Sequence, residues 1–414
     1  MDQKWQKTME VFDEYERRFA FARAARPLTK PWLAEDREVI LEGVKKMLCW
    51  KEELVPSVGD LVEQSRQDYV NYYAAECIYP TWENFWGSAT LFMPKTEEKV
   101  PLVFVCCGHG EDGRRTSSYQ AMGHRLASLG MAAIVMDNIG QGDRAKNPAV
   151  FKTKDHWYSL APFYCGLTLQ GMIVMETVGL IRKMAKDGRF SQLAACGNSG
   201  GGTLTMFLAA MAPELTVLSS SGYPSEMSYL LAKERRHCAC NLLEGCANGP
   251  EMWEIYSLFA PKPLLLEGGK LDNLIPLDLA HRNARKVKNT YVQLGSADFS
   301  FQLTNTKHSW DVEDVDLISG FLCKNLLGVT PEAMTELCEA AATPVVMPDV
   351  MLTTEELAQK ITGKQMPADT KLCDIYKPLF EGQVLDPDTI DDKAGRGEVM
   401  RVLAQMECAL KMED

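Results

Sequence analysis

Gly197-Asn198-Ser199-Gly200-Gly201 concentrates more chemistry than any other segment of the chain. It fits G-x-S-x-G, follows the apolar run SQLAAC directly and opens the small-residue stretch GTLTMFLAAMAP. A serine at a sharp strand-to-helix turn of this kind is a nucleophile elbow. The flanking glycines remove side chains that would strike the neighbouring strand and helix, and the helix N-terminus favours negative charge. Ser199 is therefore the expected nucleophile of an acyl-transfer reaction.

The elbow implies the chain order serine, acid, histidine. Of six histidines, only His281 and His308 follow a candidate acid. His281 lies in the helix-like LDLAHRNARKV, too near the acids to reach across a sheet top. His308, in NTKHSW, lies in a loop before the last core helix and is the expected base. Asp272, in KPLLLEGGKLDNLIP, stands just past a strand end, where a carboxylate can accept from the imidazole Nδ1–H. Glu267, Glu226 and Asp278 are its weaker rivals. An oxyanion hole needs two backbone N–H groups. Gly200 should supply one, and Gly110 or Glu111, in the turn Gly108-His109-Gly110-Glu111-Asp112-Gly113, the other. His109 reads as a loop-orienting group rather than a base.

Other features carry a bland reading of equal or greater weight. The insertion NPAVFKTKDHWYSLAPFYC holds Trp157 and Tyr164, which could wall a substrate pocket or simply pin a long loop. Trp310, two residues past His308, could touch substrate or cover the loop. His237, Cys238, Cys240 and Cys246 form H-C-x-C-x5-C, whose spacing does not match the usual zinc pairs, so packed thiols are expected and no metal. No organic cofactor is called for either.

These residues need a scaffold. Between Pro101 and about Leu327, strands apolar on both faces (PLVFVCC, MAAIVMD, SQLAACG, LTVLSSS, KPLLLEGG) alternate with helical stretches, and TYVQLGS also reads as a strand. That pattern predicts an α/β fold, a mainly parallel sheet with helices on both faces. Residues 1–70 read as a helical N-terminal segment, 71–328 as the catalytic domain opened by the antiparallel strands YYAAECIYP and ATLFMP, and 329–414 as an acidic helical extension. The extension holds 17 acidic and 8 basic residues, with helices expected in TPEAMTELCEAA and GRGEVMRVLAQMECALKM. Apolar spacing in the latter suggests packing against another subunit in a homo-oligomer.

The formal net charge is −12, from 44 basic and 56 acidic residues, which disfavours a nucleic-acid partner. No apolar run nears the ~18 residues of a membrane span, and the charged N-terminus lacks a signal-like apolar stretch, so no membrane partner is expected. Thirteen scattered cysteines, two adjacent at Cys106 and Cys107, suit reduced thiols and a soluble, cytoplasmic chain.

Taken as a set, GHGEDGRR, SYQAMGHRLASLG, GNSGGGT, APKPLLLEGGKLDNLIP and the D-x-x-G-Q-G-[ED]-R element at Asp137, Gly140, Gln141, Gly142, Asp143 and Arg144 resemble the α/β-hydrolase superfamily. Within it they look like the bacterial acetyl-xylan-esterase-like and dienelactone-hydrolase-like branch. The resemblance runs from about Tyr72 to Leu327. It implies a serine hydrolase acting through Ser199, Asp272 and His308 on a small-molecule ester, most simply a small-acyl esterase or deacetylase. A peptidase or amidase using the same three residues, and a catalytically silent scaffold, are the other readings.

Overall fold

The computed structural model describes residues 36–110, 112–145, 161–227, 239–241, 243–244, 249–338 and 342–367. The described elements begin with helix α1 (Asp36–Met47), then strands β1 (Val62–Asp68), β2 (Tyr72–Pro80), β3 (Trp86–Pro94) and β4 (Val100–Cys106). Helix α2 (Ser117–Ser128), β5 (Ala132–Met136), the short α3 (Ala161–Tyr164) and α4 (Leu169–Met184) follow. Next come β6 (Phe190–Asn198), α5 (Gly200–Met211), β7 (Leu215–Ser221), α6 (Met252–Ser257) and β8 (Leu264–Gly269). Helix α7 (Leu277–Gln293), β9 (Phe299–Thr304), α8 (Val312–Leu327) and α9 (Thr354–Thr362) close the series.

One sheet contains all these strands in the order β1-β2-β3-β5-β4-β6-β7-β8-β9. The first three pair antiparallel, β3 meets β5 antiparallel, and every pair from β5 to β9 is parallel. Strand periodicity splits the central residues between two cores. Leu102, Phe104 and Cys106 of β4 face the cluster built on α1, α4, α5, α6 and α7, whereas Val103, Val105 and Cys107 face that built on α2 and α8. Continuous apolar strands are what a parallel sheet covered on both faces requires.

The sequence expectations differ from the structure in three places. TYVQLGS is not a strand: α7 runs through Gln293, because Ala280, Ala284, Val287 and Tyr291 form one buried helical face. The last strand is instead Phe299–Thr304. TPEAMTELCEAA is not helical over 331–338. There the Met334 N–H donates to Asp316 Oδ1 at 2.9 Å and the Glu332 carbonyl accepts from Arg125, so contacts to α2 and α8 replace helical ones. The paired strands also start at Val62, ahead of residue 71. The helix expected in GRGEVMRVLAQMECALKM and residues 1–35 of the expected helical N-terminal segment lie outside the described residues. No helix of the described residues is long and apolar enough to cross a membrane.

A buried ion pair ties the sheet to its helical cover. Arg144 donates to Glu176 of α4 through both terminal nitrogens, at 2.8 and 2.7 Å, and to the Asp137 carbonyl at 3.1 Å. Removing one partner leaves an uncompensated buried charge, which costs about 3–5 kcal/mol. Glu176→Ala should therefore lower the stability of the main unfolding transition by about that amount. Urea unfolding followed by tryptophan fluorescence would show it as a lower midpoint.

Candidate active site

Ser199 sits between β6 and α5 with φ 58° and ψ −118°, a left-handed conformation that a non-glycine residue rarely adopts. Its N–H donates to the Ser221 carbonyl of β7 at 3.0 Å, fixing the turn to the sheet edge. Gly201 explains why the motif needs glycine. A Cβ there would lie 1.8 Å from the Cys106 carbonyl oxygen, so the helix can only approach β4 without a side chain.

The three expected functional side chains come together. His308 Nε2 lies 2.8 Å from Ser199 Oγ, and His308 Nδ1 lies 2.8 Å from Asp272 Oδ2. Asp272 lies in the turn after β8, where Oδ1 accepts from the Leu274 and Ile275 amides at 2.6 and 3.2 Å. Burial works against its ionised form. The hydrogen bond and charge of His308, helped by those two amides, outweigh it and hold the carboxyl below the ordinary aspartate value. An ionised acceptor on Nδ1 directs the lone pair of Nε2 toward the serine hydroxyl. The rival groups are elsewhere: Glu226 pairs with Arg282 at 2.8 Å, Asp278 lies in the first turn of α7, and the His281 ring packs on Phe301.

The turn after β4 comes to the elbow through His109. The His109 backbone nitrogen lies 3.5 Å from where a Cβ on Gly200 would stand, and its ring lies closer still. Gly110 faces Thr116, and its carbonyl accepts from the Gly113 N–H at 3.2 Å. His109, and not Gly110, is thus the residue brought against Gly200; Glu111 lies outside the described residues. Tyr119 closes the turn from below. Its hydroxyl accepts from the Gly108 N–H at 2.7 Å, and burial pushes its pKa well up.

Trp310 packs into the core. It is buried, donates from Nε1 to Ser221 Oγ at 2.6 Å and packs edge-on against Tyr119. Tyr164 is half-buried in α3 against the main core, and Trp157 lies outside the described residues. Of the histidine–cysteine cluster, only Cys240 is described. It is disulfide-bonded, which corrects the expectation of packed thiols at that position, and its Sγ lies 3.2 Å from His109 Nε2. A disulfide sulfur carries no thiolate to offer zinc. The other described cysteines are free, and among the described residues no group of three or more metal-ligating side chains converges.

Asn198 and Glu267 are positioning residues that the sequence reading missed or set aside. Asn198 Nδ2 donates to the His308 carbonyl at 3.2 Å. Glu267 accepts from Thr304 Oγ1 at 2.9 Å, Thr304 and Thr306 hydroxyls meet at 2.8 Å, and Thr306 donates to Asp314 at 3.0 Å. This chain braces the His308 loop at both ends. Burial, then the nearby Asp314 charge, raise Glu267 well above the ordinary glutamate value.

Among solved structures similar to this chain is the methylesterase BT1017, with TM-score 0.54 and 15% identity, covering 95% of this chain and 77% of that one. A protein assigned as an acetyl xylan esterase of Bacteroides fragilis gives TM-score 0.55 and 15% identity over 69% and 80%. A glucuronoyl esterase from Solibacter usitatus gives 0.55 and 12% over 71% and 93%. No family model and no curated relative matches. With the strand order and the elbow, these likenesses show that the chain has the α/β-hydrolase fold.

Two outcomes follow. Ser199→Gly and Ser199→Ala both delete the hydroxyl, yet only glycine relieves the positive φ. Thermal unfolding should place Ser199→Gly above Ser199→Ala by about 1–3 kcal/mol. For Glu267, the unfolded chain releases its proton near about pH 4.3 while the folded chain keeps it. Folding stability should fall as pH rises from there toward the raised folded value. Glu267→Gln should flatten that slope in urea titrations run at successive pH values.

Proposed function

We propose that the protein is a carboxylic-ester hydrolase working through an acyl-enzyme. The hydrogen-bonded line from Ser199 Oγ through His308 to Asp272 carries this reading. In it, His308 takes the serine proton as Ser199 attacks the ester carbonyl. Ionised Asp272 keeps the imidazole in the needed tautomer and stabilises the imidazolium. The N–H groups of Gly200 and His109 hold the developing oxyanion, His109 taking the role first expected of Gly110 or Glu111. His308 then protonates the leaving alcohol and activates the water that releases the acid.

The substrate we infer is an ester of a small acyl group, with a deacetylase as the simplest case. The assigned acetyl xylan esterase among the similar structures supports it. A second reading reverses the ester, with a small alcohol on a larger acid, and draws on the methylesterase and glucuronoyl esterase likenesses.

Hydrolysis of p-nitrophenyl acetate, butyrate and octanoate, set beside methyl esters of sugar acids, tests both. Turnover falling steeply with acyl length supports the deacetylase, and preference for the methyl esters supports the reversed ester. Ser199→Ala should lose roughly a millionfold in kcat and Asp272→Asn on the order of 10⁴-fold. Undiminished turnover by Ser199→Ala would overturn the mechanism.

A further inference from the structure

Arg114 follows directly on the turn that carries His109 and Gly110, and it is fully buried. Its backbone N–H donates to Asp137 Oδ1 at 2.7 Å, and its carbonyl accepts from Gln120 at 2.7 Å, so the exit of the turn is held at both peptide groups. Its guanidinium reaches Glu76 of β2, Thr90 of β3 at 2.7 Å and Asp143 at 2.7 Å. Arg115 also reaches Asp143, at 3.2 Å. With Asp137 Oδ2 3.4 Å from Nε, three carboxylates surround one buried guanidinium, and Asp143 is shared with the neighbouring Arg115.

The C-terminal extension supplies what this cluster still lacks. The Thr343 N–H donates to Glu76 Oε1 at 3.1 Å, and the Val345 N–H donates to Asp143 Oδ2 at 3.1 Å. The Thr343 carbonyl accepts from Arg114 Nη2 at 2.9 Å. Two backbone donors thus meet the two carboxylates that hold the guanidinium, and one backbone acceptor meets the guanidinium itself. Val345 is buried in doing so. Beyond it, Gln64 of β1 and Val346 exchange hydrogen bonds of 2.7 Å in both directions, which lays the segment along the sheet edge.

We propose that residues 343–345 are a positioning strap for the oxyanion turn: they complete the Arg114 cluster, and through it fix the backbone that carries the His109 N–H. This rests on the esterase reading for its kinetic consequence. The strap makes no contact with the reacting atoms, so its effect must travel through Arg114. An oxyanion donor acts on the transition state and hardly on bound substrate, so a loosened turn should lower kcat and leave KM in place.

The test compares three proline variants, each of which deletes one backbone donor. Thr343→Pro and Val345→Pro remove donors to the cluster. Val346→Pro removes the donor to Gln64 outside it and is the control. Deuterium exchange of peptides spanning 108–116 should quicken in the first two and match wild type in the third. With p-nitrophenyl acetate, kcat should fall about tenfold or more in the first two at a KM within about twofold, and phenylboronic acid should bind more weakly in step. Glu76→Gln, which keeps the side-chain shape while removing the charge that Thr343 faces, should show the same split if a proline variant does not fold. Wild-type exchange and wild-type kcat in the strap variants would overturn the proposal, as would a raised KM at unchanged kcat. Loss of Ser199-dependence in the wild type would instead overturn the esterase reading, with the exchange result still deciding whether the strap holds the turn.

Discussion

The parallel pairing of β4 with β6 is the constraint on which the site depends. Its register sets Cys106 opposite Gly197, so the chain leaving one strand passes the chain turning into α5 at the same level. The carbonyl of Cys106 is so close to Gly201 that nothing larger than hydrogen fits between them. The remaining geometry is what this proximity demands. Ser199 is lifted into a left-handed turn, Gly200 is pressed against His109, and Tyr119 and Asn198 fill the space beneath. Strands β7 and β8 come next in the sheet, so Gly222, Asp272 and the His308 loop meet along the same carboxyl edge. An open parallel sheet places its ligand crevice at that edge for topological reasons.

Beneath the edge, position is held by buried charge more than by apolar shape. Arg144 with Glu176, Arg114 with its three carboxylates, and Glu267 with Asp314 all lie under loops of the site. Such groups are costly to desolvate, and similar volumes of hydrocarbon would often be as stable. They differ from hydrocarbon in direction. A guanidinium bonded to four partners admits one placement, where a leucine would tolerate several. This gives the D-x-x-G-Q-G-D-R element a structural meaning. Asp137 accepts from the Ser88 hydroxyl and the Arg114 amide, and a Cβ on Gly142 would strike it at 2.2 Å. The element frames the turn after β4 from the neighbouring strand.

Local patterns in the sequence indicate the parts that depend on side-chain type. The elbow is legible because a strand, two glycines and a helix must occur in that order around Ser199. Asp272 and His308 are legible because each follows a strand and precedes a helix. TYVQLGS misleads because threonine, tyrosine and valine favour strands locally, while burial of Tyr291 beside Val287 decides for helix. Trp310 misleads in another way. Its nearness to His308 in the chain suggests the pocket, but the loop turns there and sends the indole down onto Ser221. The choice among Gly110, Glu111 and His109 needs backbone direction, which no residue pattern carries.

The C-terminal segment shows the same limit and leaves one trace of itself. Its hold on the core runs through the amides of Thr343, Val345 and Val346 and through Leu352, whose N–H donates to the Asn84 carbonyl at 2.9 Å. Any residue except proline offers such an amide, so the side chains need not advertise the contact. Helix α9 then buries Leu357 and Ala358 in the main core, with a Thr353–Glu356 capping box at its start. Charge is what the contact does restrict. The extension has 17 acidic residues, yet 342–348 reads ATPVVMP with none, and this is the stretch laid over Glu76 and Asp143. A carboxylate there would meet three others in a buried setting, where like charges repel most strongly. The stretch that touches the anionic cluster thus carries no carboxylate of its own, and the two prolines within it hold the chain extended for that contact.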